Sequence, residues 1–387
     1  MRIAVIGASG AGLPFAAFLL QKHPEWDVHL FDANPKIGRK LLATGNGHCN
    51  LLNKEAASGD YNSPDFVEEA FRNHSYETIK RSLLSLGVAV LENGFLAYPK
   101  SFTSEGYVDA LSSYIKNKGV SLHLETKVLD YHKKENNWVL RTNHGEFAFE
   151  KLVFCSGGKS GRNLGSDGNL FEVFAKHGYS IGPLTPGLCP VKTKENVSTL
   201  DGIRHPAKVS IVDGDSTVYE EEGEVLFRKD GLSGIVVFNI ERKLAHLKKD
   251  CLVLDLFPNQ SFESLAKEAG ALLNANSGFA PAFLPGKLFE YCLASSRAKN
   301  LKSNEDVYAF CHTLKTLPFH VSGFYDFASS QVTIGGISLE NISCKNFESK
   351  LESNVYFLGE VLDIDGPCGG YNLEWCLVGA LALSEIL

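Results

Sequence analysis

A glycine-rich turn near the N-terminus has the residue types and the spacing that bind a diphosphate. Residues 7–12 read GASGAG, follow a short apolar run at residues 3–6, and precede Asp32 by twenty positions counted from Gly12. Glycine permits the tight turn, the start of a helix presents backbone N–H groups to a pyrophosphate, and an acidic residue after the second strand accepts the hydroxyl groups of an adenosine ribose. The pattern predicts a dinucleotide site with these members: Gly7, Ser9, Gly10, Ala11, Gly12, Asp32 and Ala33.

The turn departs from the usual pattern at one position. In G-x-G-x-x-G the middle glycine corresponds to Ser9. The Cβ of serine narrows the approach of the backbone to a phosphate, although the hydroxyl group can donate a hydrogen bond of its own. A glycine-rich turn that binds no ligand is the alternative, and this motif alone leaves it open.

A second segment combines two basic residues with a glycine-rich loop. Residues 34–50 read NPKIGRKLLATGNGHCN. Arg39 and Lys40 can neutralise a diphosphate, and residues 44–47 can lay backbone amides under a flat ring. A solvated basic turn is the alternative interpretation of the same residues.

This second segment resembles the NPKLGRKLLISGGGRCN element of the BaiN-like and aminoacetone-oxidase-like FAD-dependent oxidoreductases, which are flavoproteins of the glutathione-reductase type. The resemblance implies that FAD is the cofactor. It places the following residues of the segment beside FAD: Arg39, Lys40, Thr44, Gly45, Cys49 and Asn50.

The resemblance continues over nearly the whole chain. Residues 152–158, 223–234 and 331–337 are similar to further elements of the family, and residues 348–373 are similar to its ESK, YFAGEVLDxDG and GGYNLQWA strings. It implies that Glu360 binds the flavin ribitol and that the backbone of Val128 contacts adenine. The other implied FAD contacts are Ser156, Gly157, Gly359, Gly370, Tyr371 and Asn372. The last three open a helix, whose dipole would stabilise the negative charge that reduction places on the flavin.

Four residues depart from the family strings. His48 replaces an arginine, so a fixed cation becomes a titratable group. Asn46 replaces a glycine and Leu52 a threonine in the same loop, and Lys229 replaces a histidine. We expect FAD binding to survive these changes, whereas the choice of substrate or the flavin potential can change with them.

The weak catalytic candidates are His48, Cys49 and Cys368, all in loops expected beside the flavin. His48 can act as a general base or tune the flavin potential. Cys49 and Cys368 can form a redox-active thiol pair, but their spacing is not that of a dithiol motif, and a free cysteine is usually a small buried apolar residue. The sequence names no catalytic base.

Composition limits the partners. The 387 residues include 38 Lys and Arg against 45 Asp and Glu, a net charge of −7, which argues against nucleic acid as the main partner. Nine cysteines without a C-x-x-C pair predict neither a disulfide framework nor a metal site. The uncharged stretch at residues 3–20 imitates a signal peptide, but its glycines fit the dinucleotide turn better. We therefore expect a cytoplasmic protein that acts on a small molecule, without a membrane partner.

Strand and helix patterns alternate at both ends of the chain. Residues 3–6, 13–22 and 28–31 form a β-turn-α-β unit, the opening of a doubly wound sheet. A strand at residues 355–358 and a helix at residues 373–387 return to this pattern. The sequence predicts an α/β fold: a Rossmann-like FAD-binding domain of the glutathione-reductase type, with an inserted β-barrel domain and a helical subdomain.

Between these two ends the sequence predicts further helices and strands. We predict helices at residues 63–86, 103–118 and 261–316, a strand at residues 120–125 and a meander at residues 128–149. Further strands are predicted at residues 208–212, 224–228, 235–240, 252–257 and 319–333. The predicted domains are residues 1–188 with 335–387 for FAD, residues 189–260 with 318–334 for the barrel, and residues 261–317 for the helical subdomain.

The leading functional hypothesis is an FAD-dependent oxidoreductase that moves a hydride between a small organic substrate and flavin. The family implies an amine or an unsaturated compound as substrate, with oxygen or NAD(P)H as the second substrate. The chain has no second glycine-rich βαβ unit, so NAD(P)H would bind only transiently. The alternatives are a non-catalytic FAD-binding regulator and a flavin-dependent protein that modifies RNA.

Overall fold

Residues 1–274, 283–298 and 301–387 are described by a computed structural model, in which the chain divides into two units. Unit 1 comprises Met1–Pro186 and Gln331–Leu387, and unit 2 comprises Gly187–Ser330. The second unit is therefore inserted into the first. The barrel strands and the helices after them, which we predicted as separate domains, both lie in unit 2, and the division into three domains stays a prediction.

The strands of the described residues are short at both ends of the chain and longer in the middle. They are β1 (Arg2–Ile6), β2 (Asp27–Phe31), β3 (Leu52–Asn53), β4 (Val90–Asn93), β5 (Leu96–Pro99), β6 (Ser121–His123), β7 (Val128–Lys134), β8 (Asn137–Thr142), β9 (Gly145–Phe149), β10 (Lys151–Phe154), β11 (Thr185–Gly187), β12 (Val191–Thr193), β13 (Arg204–Asp213), β14 (Ser216–Arg228), β15 (Gly231–Ser233), β16 (Cys251–Asp255), β17 (Leu317–Phe324), β18 (Val332–Ile334) and β19 (Val355–Phe357).

The helices lie between these strands. They are α1 (Gly12–Lys22), α2 (Arg39–Leu42), α3 (Pro64–Phe71), α4 (Tyr76–Ser85), α5 (Ser104–Asn117), α6 (Asn169–Lys176), α7 (Ile235–Leu247), α8 (Phe262–Asn274), α9 (Gly286–Ser295), α10 (Asn304–Lys315) and α11 (Tyr371–Ile386).

Unit 1 is built on a five-stranded sheet in the order β19-β10-β1-β2-β6. All its pairings are parallel, with Val5 opposite both Leu30 and Val153. The apolar strand residues are buried on both faces, as in doubly wound sheets that carry helices on each side. The predicted α/β fold and its β-turn-α-β opening are confirmed. The parallel pairing brings the carboxyl ends of β1, β2, β10 and β19 to one edge of the sheet.

Two small antiparallel sheets complete unit 1. The order β7-β8-β9 confirms the predicted meander. The order β3-β5-β4 was not predicted, because β3 has only two residues and pairs with a strand distant in sequence. The predicted helix at residues 63–86 is two helices, α3 and α4, and Ser75 caps the second by accepting a hydrogen bond from the Thr78 N–H.

Unit 2 contains a closed barrel in the order β12-β15-β14-β13-β16-β17. The predicted strand at residues 235–240 is wrong, since these residues begin helix α7. The β-branched run suggested a strand, but Val236, Val237, Ile240 and Leu244 share one buried helical face, and tertiary packing overrides local propensity.

Helices α8, α9 and α10 agree with the helical pattern predicted for residues 261–316, of which residues 275–282 and 299–300 lie outside the described residues. Among the described helices, none combines the length and the apolar character needed to cross a membrane.

Candidate functional site

The glycine-rich turn after β1 presents free donors at the start of α1. The backbone N–H groups of Gly10, Ala11 and Gly12 have no acceptor among the residues that the structure describes. Gly12 must be glycine here, because a Cβ would lie 1.9 Å from the carbonyl oxygen of Gly7. Ser9 is half-buried beside them. This turn therefore has the donor set that an anionic diphosphate requires.

Asp32 closes the same turn from the end of β2. Its Oδ2 accepts the Ala8 N–H at 2.8 Å, and its Oδ1 accepts the Asn34 N–H at 2.8 Å. The Thr126 N–H donates to the carbonyl oxygen of Asp32 at 2.9 Å, so the chain that leads into Val128 runs beside this residue. Asp32 is half-buried and Ala33, which follows it, is exposed. The structure thus brings the predicted adenosine contacts of Asp32 and Val128 together at one end of the turn.

The basic segment begins directly against the turn. The Gly38 N–H donates to the carbonyl oxygen of Ala8 at 2.8 Å, and Gly38 has a φ of 69° that favours glycine. Arg39 donates to the side-chain oxygen of Asn34 at 3.1 Å. Lys40 forms an ion pair with Glu360 at 2.6 Å, and both side chains are mostly buried.

Glu360 is more constrained than the sequence indicated. Besides Lys40, its Oε1 accepts the Thr333 N–H at 2.9 Å. A Cβ on Gly158 would lie 2.7 Å from the same oxygen, so the glycine leaves just enough room for the carboxylate. Because Lys40 is 320 positions away in sequence, no local pattern predicted this pair.

The glycine turns of the site touch one another. A Cβ on Gly7 would lie 2.2 Å from the carbonyl oxygen of Cys155, directly before Ser156 and Gly157. A Cβ on Gly359 would lie 3.0 Å from the Cβ of Ala11. Three predicted segments, residues 7–12, 155–158 and 359–360, therefore meet at one edge of the parallel sheet.

The loop after α2 is left-handed over three consecutive residues. Gly45, Asn46 and Gly47 have φ values of 56°, 54° and 88°. Asparagine tolerates this conformation better than other side chains, which explains how Asn46 can replace a glycine. The Cys49 N–H closes the loop on the carbonyl oxygen of Thr44 at 3.2 Å.

The three catalytic candidates lie in different surroundings. His48 is exposed, stacks on Phe102 with ring centroids 4.2 Å apart, and lies with its Nδ1 2.8 Å from the Phe102 carbonyl oxygen. Burial raises the pKa of the Cys49 thiol to about 11. Cys368 is partly exposed, its Sγ lies 3.5 Å from the Gln331 side-chain oxygen, and no disulfide joins it to Cys49. A buried thiol with a raised pKa is a poor nucleophile.

The start of α11 meets the end of this loop. Gly370 has a φ of 95°. With the Asn50 side-chain amide turned so that both its ends are satisfied, its oxygen accepts the Gly370 N–H at 3.2 Å. The side-chain amide of Asn372 closes its own turn, because it bonds to the N–H and the carbonyl oxygen of Gly366. Tyr371 accepts a hydrogen bond from Tyr61 at its carbonyl oxygen. The side-chain amide of Asn372 is therefore engaged within its own turn.

Glu374 is a buried residue beside the predicted flavin segments that the sequence interpretation missed. It lies in the first turn of α11, is 2% exposed, and accepts the Asn53 N–H at 2.8 Å. The signal was present, because the family string GGYNLQWA has glutamine where this chain has Glu374. A buried carboxyl group beside a predicted flavin segment is chemically different from a neutral amide.

The donor set fits FAD. Free N–H groups at a helix start suit a diphosphate, and Asp32 can accept ribose hydroxyl groups. The glycines at positions 157, 158 and 359 allow the backbone turns of the site to pack closely against their neighbours. Lys229 is exposed in the turn between β14 and β15 of unit 2. Among the described residues, no cluster of His, Cys, Asp or Glu can hold a metal ion.

Comparisons with known proteins agree with this geometry. Residues 1–385 match the family model described as the HI0933-like protein Rossmann domain. The chain is 28% identical to the 3-dehydro-bile acid delta(4,6)-reductase of Clostridium scindens, over 97% of this chain and 96% of that protein. It is 29% identical to the ribosomal RNA dihydrouridine synthase of Haemophilus influenzae, over 98% of this chain and 96% of that protein.

A solved structure shows the same fold. The 3-ketosteroid delta1-dehydrogenase of Sterolibacterium denitrificans superimposes with a TM-score of 0.53 at 9% identity, covering 99% of this chain and 98% of that chain. At such low identity the similarity concerns the fold alone.

Proposed function

This chain belongs to the HI0933-like Rossmann family of FAD-dependent oxidoreductases, and we propose that it reduces a carbon–carbon double bond conjugated with a carbonyl group, with NAD(P)H as the source of electrons. The observation that carries the proposal is the full-length similarity to two relatives with one chemistry in common. One name describes reduction of ring double bonds in a 3-oxo steroid acid, and the other describes reduction of the uracil ring.

The chain's own residues would hold the cofactor in an extended form. Backbone N–H groups of Gly10 to Gly12 would bind the diphosphate, and Lys40 would balance its charge. Asp32 would bind the adenosine ribose, and the start of α11 would face the pyrimidine end of the flavin. Bound FAD would supply the hydride chemistry, in which the β carbon of the substrate gains a hydride and the α carbon gains a proton.

The electron source is the second part of the proposal. A reductase needs a reductant, and the two-electron donor NAD(P)H balances reduction of one double bond. The opposite direction, oxidation of an amine with oxygen as acceptor, is the competing chemistry within the same family resemblance. None of the nine cysteines, all of which lie in the described residues, forms a disulfide, and this fits the reducing cytoplasm that we propose as the location.

The test follows the visible spectrum of the bound flavin without oxygen. We expect NADPH or NADH to bleach the flavin, and an enone such as a 3-oxo-Δ4 steroid to restore its colour. Asp32→Ala should lose flavin on gel filtration, whereas Asp109→Ala, an exposed residue on α5, should keep it. Bleaching by amines, with recovery only in oxygen, would overturn the reductase proposal. Bound flavin that no reductant bleaches would favour the non-catalytic regulator.

A second candidate is the same reduction carried out on uracil in RNA. The relative named as a ribosomal RNA dihydrouridine synthase favours it, whereas the net charge of −7 opposes it. The assay is conversion of uridine in ribosomal RNA to dihydrouridine by the NADPH-reduced protein, followed by mass spectrometry of the nucleosides. Turnover of RNA but not of free enones would replace the small-molecule substrate by RNA.

A further inference from the structure

We infer that Glu374 takes up a proton when the bound flavin is reduced, and so couples the flavin potential to pH. This inference rests on the proposed binding of FAD. Glu374 is a positioning and proton-holding residue rather than a catalytic one, because its contacts are with the protein segments that would hold the flavin. The sequence element that makes it possible is a carboxyl group in the first turn of a helix that is buried along most of its length.

The carboxyl group of Glu374 joins two segments. Its Oε2 accepts the Asn53 N–H at 2.8 Å, while the side chain of Asn53 donates to the carbonyl oxygen of Gly369 at 2.8 Å. Asn50, three residues earlier, accepts the Gly370 N–H at 3.2 Å in the orientation of its amide that satisfies both ends. The loop that ends at Asn53 and the turn that starts α11 are thus tied together through this carboxyl group. Both segments belong to the proposed flavin site.

The two segments are also in close contact. A Cβ on Gly370 would lie 2.9 Å from the carbonyl carbon and oxygen of Leu52. Little space therefore remains for the carboxyl group to swing away toward solvent, and Glu374 is 2% exposed. A change of charge in the adjoining site therefore interacts electrostatically with this group through a medium of low dielectric constant.

No cation balances Glu374 among the described residues. On α4 and after β3, Lys80 and Lys54 both pair with Glu92, and the Tyr76 hydroxyl group donates to the same carboxylate. The Tyr61 hydroxyl group, before α3, donates to the Tyr371 carbonyl oxygen instead.

The other packed elements also leave Glu374 unbalanced. In the turn Gly359–Val361, Glu360 has the same sign of charge and pairs with Lys40. On α1, Lys22 pairs with Glu385 at the far end of α11. The acidic residues of α3 are partly or fully exposed and carry the same sign of charge: Asp65, Glu68 and Glu69. Ionised Glu374 is therefore a buried negative charge held by one backbone hydrogen bond.

Burial raises the pKa of Glu374 to about 7, against the smaller opposite effect of the Asn53 hydrogen bond. The group is therefore poised to change its charge near neutral pH. Two electrons added to a flavin at the start of α11 would increase the local negative charge, which favours the protonated carboxyl group. The proton comes from solvent and returns to it when the flavin is reoxidised.

The test is the midpoint potential of the bound flavin as a function of pH in the wild type, Glu374→Gln and Glu68→Gln. Glutamine is the residue of the family string at this position, and Glu68 is an exposed control on α3. We expect wild type and Glu68→Gln to take up more protons per reduced flavin than Glu374→Gln near pH 7, by a difference of up to about one proton. The potential should accordingly fall more steeply with pH in the wild type.

If the midpoint potential changes with pH by the same amount in the wild type and in Glu374→Gln, this inference is overturned and the proposed function remains intact. A protein that takes up no FAD would overturn both, and its colourless spectrum would distinguish that case. If Glu374→Gln does not fold, the wild type decides the question. Its reduced-minus-oxidised infrared difference spectrum above neutral pH must gain the carbonyl band of a protonated carboxyl group, and the absence of that band overturns the inference.

Discussion

Glu374→Gln should stabilise the protein without flavin at alkaline pH and change little at acidic pH. Burial raises the pKa of this carboxyl group from 4.5 to about 7. Each tenfold change in proton affinity corresponds to about 1.4 kcal/mol, so ionised Glu374 costs the folded state about 3 kcal/mol. The folded protein binds this proton more tightly than the unfolded chain. Its contribution to stability is therefore full below about pH 4.5, decreases as the pH rises, and is lost above about pH 7.

The assay is urea unfolding of the apoprotein at about pH 5 and about pH 8, with Glu68→Gln as the exposed control. The free energy of unfolding of Glu374→Gln should exceed that of the wild type at the higher pH by up to about 3 kcal/mol, and the difference should shrink at the lower pH. The control should follow the wild type at both values. A difference between Glu374→Gln and the wild type that is the same at both pH values would refute the reasoning.

Three further predictions concern the glycine turn, the ion pair and the buried thiol. Gly12→Ala should abolish FAD uptake, because the added Cβ would lie 1.9 Å from the Gly7 carbonyl oxygen. Gly10→Ala should fold, because the atom nearest to its added Cβ, the Cys376 Sγ, lies 3.4 Å away. Flavin absorbance after gel filtration distinguishes the two variants. Lys40→Met should weaken the affinity for FAD about tenfold in a fluorescence titration, since it removes the charge-assisted contact that we propose between Lys40 and the diphosphate. A similar loss of affinity in Lys36→Met, at an exposed position, would contradict a specific role of Lys40. Cys49 should resist iodoacetamide in the native protein, and rapid labelling in a mass spectrum would contradict its burial.

The parallel sheet could be predicted from the sequence because its signals are local. A β-branched run, a glycine turn, a helix with Pro14 in its first turn and an acid after the next strand occur within residues 3–32. The strand at residues 235–240 was predicted wrongly for the same reason, since a local β propensity was read without the packing that makes it α7. Propensity summed over a few residues is easily overridden by burial of one face.

The predicted FAD contacts are still predictions, but the structure explains why some neighbours were missed. The ion pair of Lys40 and Glu360 spans 320 positions, and the bond from Asn53 to Glu374 spans 321. Spacing rules describe residues within one element or turn, so they cannot predict contacts between residues this far apart in sequence. His48 was predicted only as a loop residue beside the flavin that can act as a base or tune the flavin potential, and its stacking on Phe102 depends on a segment distant in sequence.

The interrupted order of unit 1 has a consequence for the way the chain folds. Strand β19 pairs with β10 and helix α11 packs on α1, so the last residues of unit 1 complete structure begun by the first ones. Unit 2, by contrast, is a continuous stretch of chain, Gly187–Ser330. During synthesis the barrel can close while the parallel sheet still lacks its edge strand, and contacts of such sequence separation form slowly. Pulsed hydrogen exchange during refolding should therefore protect the amides of β13 and β14 before those of β19.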